Sequence, residues 1–391
     1  MRYRPFLSHK REQASTIEYL KQQLCLRGAG GWRDQDDLGL GGDFPAELND
    51  AINTKTGGFI WWGTRDTLKS DTICNLELPA ALARARHDSS YPVVPVFVDL
   101  TPEDDAEVIV AALGPSNAEQ LLRSNGVEKR RRESRRALAT RAARSYVKQL
   151  LKSVPPGPIA VDITAFRAPT ETHDLTLDWR SVLDNDARRI KPGGLQVLEE
   201  ALTDIRNEAQ ARERCPGVCL ELSLPLPLAM LVGYQWRWTT QLRTTVETVN
   251  PATGRMLRVE PSGGATDVRS ELRKMALPGT GPMVLALSVG HSLGATVDRY
   301  AGDVNARGFE HLHVPCDFAK EPLDAADIRG LAAHVVNRLN GLQAEGTPKH
   351  LLMRAPANLA AAIGLASNGI GPTWVPLYDG HDNYSGGITI G

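Results

Sequence analysis

The pattern Pro-x-x-Leu-Ala-x-x-x-Gly occurs twice, at Pro225–Gly233 and at Pro356–Gly364. An internal repeat constrains a fold more than a lone motif does, because both copies must build the same supersecondary unit. The surroundings repeat as well. Gly157–Ile163 and Gly281–Leu287 are apolar strand runs that open the two units. A loop and a helical pattern follow each, over 194–211 and 325–343, and then a strand that runs into the proline. The proline turn starts a small-residue helix that ends at the glycine, and a further strand follows, at 244–249 and 374–378. The same elements in the same order predict two α/β halves, about 157–260 and 281–391, related by a pseudo-two-fold. Such a pair shares a cleft where the two sets of strand ends meet.

The chain has 391 residues, enough for two or three domains. Its first hundred residues alternate strand and helix. Pro5–Ser8 is a short buried-strand run; Ala14–Leu26 places Ile17, Leu20 and Leu24 on one helical face and stops at Arg27-Gly28. Gly57–Gly63 is a glycine-bounded strand, 76–86 is helical, and 93–100 is a β-branched strand despite Pro95. This is the doubly wound pattern of a parallel sheet, whose sites lie beyond the carboxyl ends of the strands. Trp61 and Trp62 alternate across that sheet, so at least one is core. Residues 118–152 read as one basic helix with Leu138, Ala142, Tyr146 and Leu150 on its packed side. The densest charge run, Glu128–Arg136, reads as its solvated face. Val154–Pro158 breaks the helix, giving domains of 1–154 and 155–391.

Composition removes several classes. Lys+Arg number 45 and Asp+Glu 46, for a net charge of -1, which argues against a general nucleic-acid coat and a DNA partner. No apolar run approaches the ~20 residues of a membrane span, and residues 1–5 lead straight into a strand with no export signal, so a cytoplasmic protein is expected. Cys215 and Cys219 lack a second pair for a zinc ribbon, and His311 and His313 lack a third ligand, so no metal and no cofactor is expected.

One short segment bears chemistry in the first domain. Ser70–Glu77 precedes and opens a helix, with Ser70 or Asp71 as N-cap and Glu77 on the side of Cys74 by i,i+3 spacing. On spacing alone Glu77 is an exposed helix carboxylate. The wider pattern changes that. Phe6-Leu7-Ser8-His9-Lys10 resembles the first-strand signature of TIR domains, Trp32–Asp43 resembles their BB loop, and Ser70–Glu77 resembles their S-x-W-C-x-x-E element, with Ile73 at the tryptophan position and Arg4 where an aspartate is common. The resemblance implies a flavodoxin-like fold over 1–154 and makes Glu77 the catalytic glutamate of an NAD-cleaving enzyme. It places Leu7, Ser8, Lys10, Arg33, Asp36 and Cys74 around NAD, with Lys10 and Arg33 toward the pyrophosphate. It gives Leu38, Gly39, Leu40, Asp43 and Phe44 to assembly through the BB loop. The chemistry is coherent: nicotinamide leaves a cationic pyridinium as a neutral ring, so one carboxylate suffices to orient the ribose and stabilise positive charge at C1′.

In the second region the two proline turns start helices whose free N–H groups favour anions. Gly290-His291-Ser292-Leu293-Gly294 follows a strand of the second half, and Arg167 follows the corresponding strand of the first. Trp236, Arg237, Arg354 and Tyr378 complete the basic and stacking candidates. The whole resembles a SAVED domain, a fusion of two CARF-like, Rossmann-like halves that bind cyclic oligonucleotides. The combined resemblance is to the TIR–SAVED effectors of cyclic-oligonucleotide antiphage systems (CBASS). It implies a sensor for a cyclic oligonucleotide that switches on NAD+ hydrolysis; because the two halves are unequal the ligand need not be two-fold symmetric, so a cyclic trinucleotide with adenines is favoured, and head-to-tail contacts, which do not close, predict a filament. Two rivals remain: a non-enzymatic TIR scaffold assembled by a nucleotide, which needs no carboxylate at Glu77, and a nucleotide-regulated transcription factor, which needs a helix-turn-helix that the sequence lacks.

Overall fold

The computed structural model describes residues 3–32, 44–170, 172–184, 189–212, 217–237, 242–249, 256–260, 264–316, 323–378 and 383–391. Two compact units result. The first comprises Met1–Asp162 with Pro169–Asp178 and Asn207–Arg214; the second comprises Ile163–Ala168, Trp179–Arg206 and Cys215–Gly391.

The N-terminal sheet is four-stranded and parallel, in the order β1 (Pro5–Ser8), β2 (Gly58–Gly63), β3 (Val93–Phe97), β4 (Val127–Glu128). Helix α1 (Ala14–Leu26) buries Ile17, Leu20 and Leu24 and ends where Gly28 takes φ 93°, the left-handed cap that glycine adopts without strain. Helices α2 (Phe44–Asp50), α3 (Leu78–His87), α4 (Ala106–Leu113) and α5 (Pro115–Arg123) follow. One face of the sheet packs Phe6, Phe59, Trp61 and Phe97 with apolar residues of α2 to α5. Trp62 is equally buried, and strand alternation turns it to the opposite face.

The long basic helix expected over 118–152 is two helices. Helix α5 stops at Arg123, the chain pairs as β4, and Arg132 takes φ 65°. Helix α6 (Arg135–Ser153) starts only at Ser134, whose hydroxyl accepts the Ala137 N–H at 3.1 Å. The charge run is therefore a strand end, a turn and the first two residues of α6, because an N-cap serine sets the helix start more strongly than charge periodicity does. The apolar positions 138, 142, 146 and 150 are buried as expected. A side chain at Gly58 would meet the Tyr146 ring, its hydroxyl at 2.5 Å, so glycine lets α6 approach β2.

The C-terminal region holds two further sheets. One has the order β11-β10-β9-β5-β6, with β5 Ile159–Thr164, β6 Leu175–Asp178, β9 Val218–Ser223, β10 Thr244–Val249 and β11 Met256–Val259. The other has the order β12-β14-β13-β15-β16-β17, with β12 Glu271–Ala276, β13 Met283–Val289, β14 Gly308–Val314, β15 Lys349–Arg354, β16 Thr373–Tyr378 and β17 Tyr384–Ile390. A small hairpin, β7 (Leu183–Asp184) and β8 (Arg189–Ile190), stands apart. Helices α7 (Gly194–Gln210), α8 (Leu226–Gln235), α9 (Gly294–Asp303), α10 (Ala325–Ala344) and α11 (Ala357–Ala366) complete it.

The repeat read from the sequence is real in three dimensions. Matching β5, β9, β10 and β11 to β13, β15, β16 and β17 gives the same neighbour order in both sheets, each closed by an antiparallel strand, β11 or β17. Within the second unit, α8 and α11 cross at their motif glycines. A Cβ on Gly233 would lie 2.1 Å from the Ala361 oxygen and 2.8 Å from the Leu365 nitrogen. A Cβ on Gly364 would lie 2.1 Å from the Met230 oxygen and 2.7 Å from the Tyr234 nitrogen. These contacts exchange under the repeat, which makes the crossing a local two-fold. Glycine is required there because the backbones themselves touch.

Candidate functional site

Two sites take shape, one in each unit. In the N-terminal unit the chain after β2 makes a short turn at Thr67–Lys69 and then a π-helical turn over Ile73–Glu77 that runs into α3. Such widened turns recur at functional positions, because the extra residue re-aims a side chain. Glu77 closes the turn with 7% exposure, against the exposed carboxylate that spacing alone suggests. A nearly buried glutamate is uncommon without a role or a partner.

The neighbouring candidates divide. Ser8 ends β1 with 1% exposure, and its hydroxyl has no hydrogen-bond partner. Lys10 is half-buried just beyond that strand. Two expected substrate contacts are corrected. Leu7 is 2% exposed, its side chain in the core, while its N–H bonds the Trp32 oxygen. Cys74 belongs to the hydrophobic cluster, and its thiol points to the Thr67 and Leu68 oxygens. Burial, then the charges of Asp71 and Glu77, push that thiol up from its ordinary value and keep it neutral. Arg33, Asp36, Leu38, Gly39, Leu40 and Asp43 lie outside the described residues. Phe44 opens α2, and its side chain lies outside them too.

The second site is a cavity of about 810 Å³ in the C-terminal unit, within the size range of small-molecule sites. It sits where the sequence places it, at the ends of β9, β15 and β16 and at the start of the crossed helices α8 and α11. The first turn of each helix has backbone N–H groups with no intrahelical acceptor, so two anion-favouring ends converge on one space. The lining holds Arg180, Arg354 and Asp184, an excess of one positive charge. Arg354 has no ion-pair partner among the described residues. Tyr378 lines the wall, with its ring 5.4 Å from that of Tyr384. Phe166 lines it too, 62% exposed.

Of seven sequence candidates for this cleft, the cavity lining gathers two, Arg354 and Tyr378. Trp236 is fully buried and its indole N–H donates to the Leu202 oxygen at 2.9 Å, so it is core and cannot stack on a ligand. Arg237 follows the far end of α8 and lies over the Tyr234 ring at 4.2 Å. Arg167 pairs with Glu221 at 2.8 Å outside the lining. His291 and Ser292 are exposed beyond β13, and the Ser292 hydroxyl accepts the Gly294 N–H. Phe166 and Arg180 are the residues that sequence reasoning missed. Phe166 was within reach, as an aromatic directly after the strand end Ile163-Thr164. Nothing local marks Arg180. Among the described residues no group of three His, Cys, Asp or Glu is placed to hold a metal, and no helix is long and apolar enough to cross a membrane.

Comparison with known proteins gives one family match. Residues 6–133, about a third of the chain, match the model of the TIR domain. The N-terminal unit therefore carries a TIR domain, in agreement with its parallel sheet and with the Ser70–Glu77 element. No curated protein matches the chain in sequence. Among solved structures, the chain resembles the Cap4 SAVED/CARF-domain containing receptor of Acinetobacter baumannii with the cyclic trinucleotide 2′3′3′-cAAA, at 13% identity and TM-score 0.49 over 89% of this chain and 85% of that one. The same receptor with 3′3′3′-cAAA gives 12%, 0.49, 89% and 84%. The Cap4 receptor of Moraxella osloensis gives 13%, 0.48, 89% and 85%. The C-terminal unit is defined by its strand order and its repeat.

Proposed function

We propose that this chain is a nucleotide-gated effector: its C-terminal cavity binds a cyclic oligonucleotide, and its TIR domain then hydrolyses NAD+ to nicotinamide and ADP-ribose, depleting NAD in a bacterial cell under phage attack. The observation that carries the proposal is the nearly buried Glu77 at the end of a π-helical turn, in a TIR domain joined to a duplicated unit with a cationic cavity.

In the reaction the bond between C1′ and the pyridinium nitrogen breaks, and its electron pair stays with nicotinamide. Water adds to C1′ and releases a proton to solvent. Glu77 supplies negative charge beside the developing oxocarbenium ion and accepts hydrogen bonds from the ribose hydroxyls. The unpartnered Ser8 hydroxyl at the carboxyl end of β1 is suited to a polar contact with substrate, and Lys10 and Arg33 to the pyrophosphate.

The cavity suits a ligand with several phosphates and exposed bases. The helix starts and Arg354 attract the phosphates; Phe166 and Tyr378 offer ring faces. The halves are alike in backbone but not in lining. Arg354 occupies the repeat position of Ser223, and Leu224 and Leu226 match Ala355 and Ala357. The ligand therefore need not be two-fold symmetric, which favours a cyclic trinucleotide, with adenines preferred, over a cyclic dinucleotide. Self-association through the BB loop, head to tail and open-ended, completes the proposal.

The deciding experiment measures nicotinamide release from NAD+ with and without a panel of cyclic di- and trinucleotides. Release that requires a trinucleotide supports both the gating and the hydrolysis. Binding of a nucleotide with no release under any condition makes the chain a scaffold instead. For assembly, Glu77→Gln chains mixed with Leu40→Asp or Phe44→Ala chains should recover activity if neighbours complete the site.

A further inference from the structure

Strand β12 is an edge strand, bonded among the described residues to β14 and to no other strand of its sheet. All six of its residues are exposed, including Leu272 at 48% and Met275 at 41%. A strand in that position offers a row of free backbone donors and acceptors, which proteins cover or spend on a partner. We infer that β12 pairs antiparallel with β12 of a second copy of this chain, on a two-fold axis through Leu272.

Two observations select that partner and that register. The first is hydrogen-bond parity. The ladder to β14 pairs residues whose numbers match as Glu271↔His313 and Arg273↔His311, and the Leu277 N–H to Arg307 oxygen bond at 2.9 Å continues it. Backbone groups alternate along an antiparallel strand, so odd-numbered residues bond β14 and even-numbered residues point outward. Two copies can then bond only with even residues opposite even ones.

The second observation is charge. An axis through Arg273 sets arginine against arginine, one through Lys274 sets lysine against lysine, and one through Glu271 sets glutamate against glutamate; an axis through Met275 or Ala276 brings no opposite charges together. An axis through Leu272 sets Leu272 against Leu272 and Glu271 against Arg273 of the other copy, twice by symmetry. Glu271 has no ion-pair partner among the described residues. Arg273 holds Asp298 at 3.1 Å and has donors left for a second carboxylate. The contact joins the two six-stranded sheets through a few residues each, so a weak dimer is expected. The contact is independent of the catalytic proposal and needs no nucleotide.

The test uses the full chain without nucleotide or NAD+. Sedimentation should show a monomer–dimer equilibrium below about 100 µM. Leu272→Cys should form a disulfide-linked dimer under mild oxidation, because paired Cα atoms at the axis lie about 5.5 Å apart. Lys274→Cys should not, because its two copies lie about 13 Å apart. Glu271→Arg alone should be monomeric, and mixing it with Arg273→Glu should give a heterodimer. A wild-type chain that stays monomeric throughout the range, or a Lys274→Cys variant that links as fast as Leu272→Cys, overturns the inference. Thermal melts establish that each variant is folded; if Arg273→Glu is not, the two cysteine variants decide alone.

Discussion

The two sites spread their chemistry in opposite ways. The site proposed in the TIR domain concentrates it in one carboxylate, Glu77, held at the end of a single turn. The cavity distributes it over two helix starts, two arginines and two aromatic rings drawn from both halves of a duplication. A concentrated site fails at one substitution, while a distributed one weakens by steps. Duplication also separates packing from recognition: the halves are alike where α8 and α11 touch and unlike where the cavity is lined.

The largest effect should come from the concentrated site. Glu77→Gln removes charge with little change in volume and should lower NAD+ cleavage about 100-fold or more, while nucleotide binding, measured by calorimetry, stays at the wild-type value. Wild-type turnover by this variant removes Glu77 from the reaction and with it the contrast between the sites.

Next comes the crossing. Gly364→Val drives a side chain into the Met230 backbone and should cost about 2 kcal/mol in denaturant titrations. Gly302→Ala in α9 meets nothing within 4 Å and should be neutral or slightly stabilising. Equal costs for both would mean that the glycines of the crossing are not fixed by contact.

Single changes in the cavity should be milder. Arg354→Ala should weaken nucleotide binding about tenfold and reduce its salt dependence, and Phe166→Ala should weaken it by a similar or smaller factor without changing that dependence. Loss of all binding in either variant would make this site as concentrated as the other.

The smallest effect is on stability against pH. Burial, then His313 and Arg273, hold His311 below its ordinary value, and burial does the same to His350, whose Nδ1 lies 2.9 Å from the Tyr300 hydroxyl. Below pH ~6.5 the unfolded chain binds these protons more readily than the folded one. Stability should therefore fall as pH drops from about 6.5, and substituting His350 by Gln should flatten part of that slope. A slope of opposite sign would show that these imidazoles gain rather than lose protons on folding.

Much of this was legible in the sequence, for a physical reason. The repeat motif encodes backbone contact, and backbone contact demands glycine, so the crossing of α8 and α11 left a readable trace. The segment around Glu77 was legible as a TIR element, but the burial of the glutamate was not, because a π-helical turn has no periodic signature. Trp236 and Tyr378 look alike as aromatics beside a cleft. Only the fold reveals that one donates its N–H to a core carbonyl while the other lines the cavity. The basic segment misled for a similar reason: arginines suit a helix face and a turn equally, and Ser134 alone marked the true start.

The glycine crossing also bears on how the chain is made. Helix α8 is apolar all round, with every residue from Pro227 to Gly233 buried, and the helix that covers it is α11. On a ribosome that partner emerges more than a hundred residues later. At ordinary rates of synthesis α8 waits roughly 10 s without its cover. During that interval it is a sticky segment, open to chaperones and to α8 helices of neighbouring nascent chains. Slowing translation between the two halves should therefore lower the yield of soluble protein more than slowing it after Ala366.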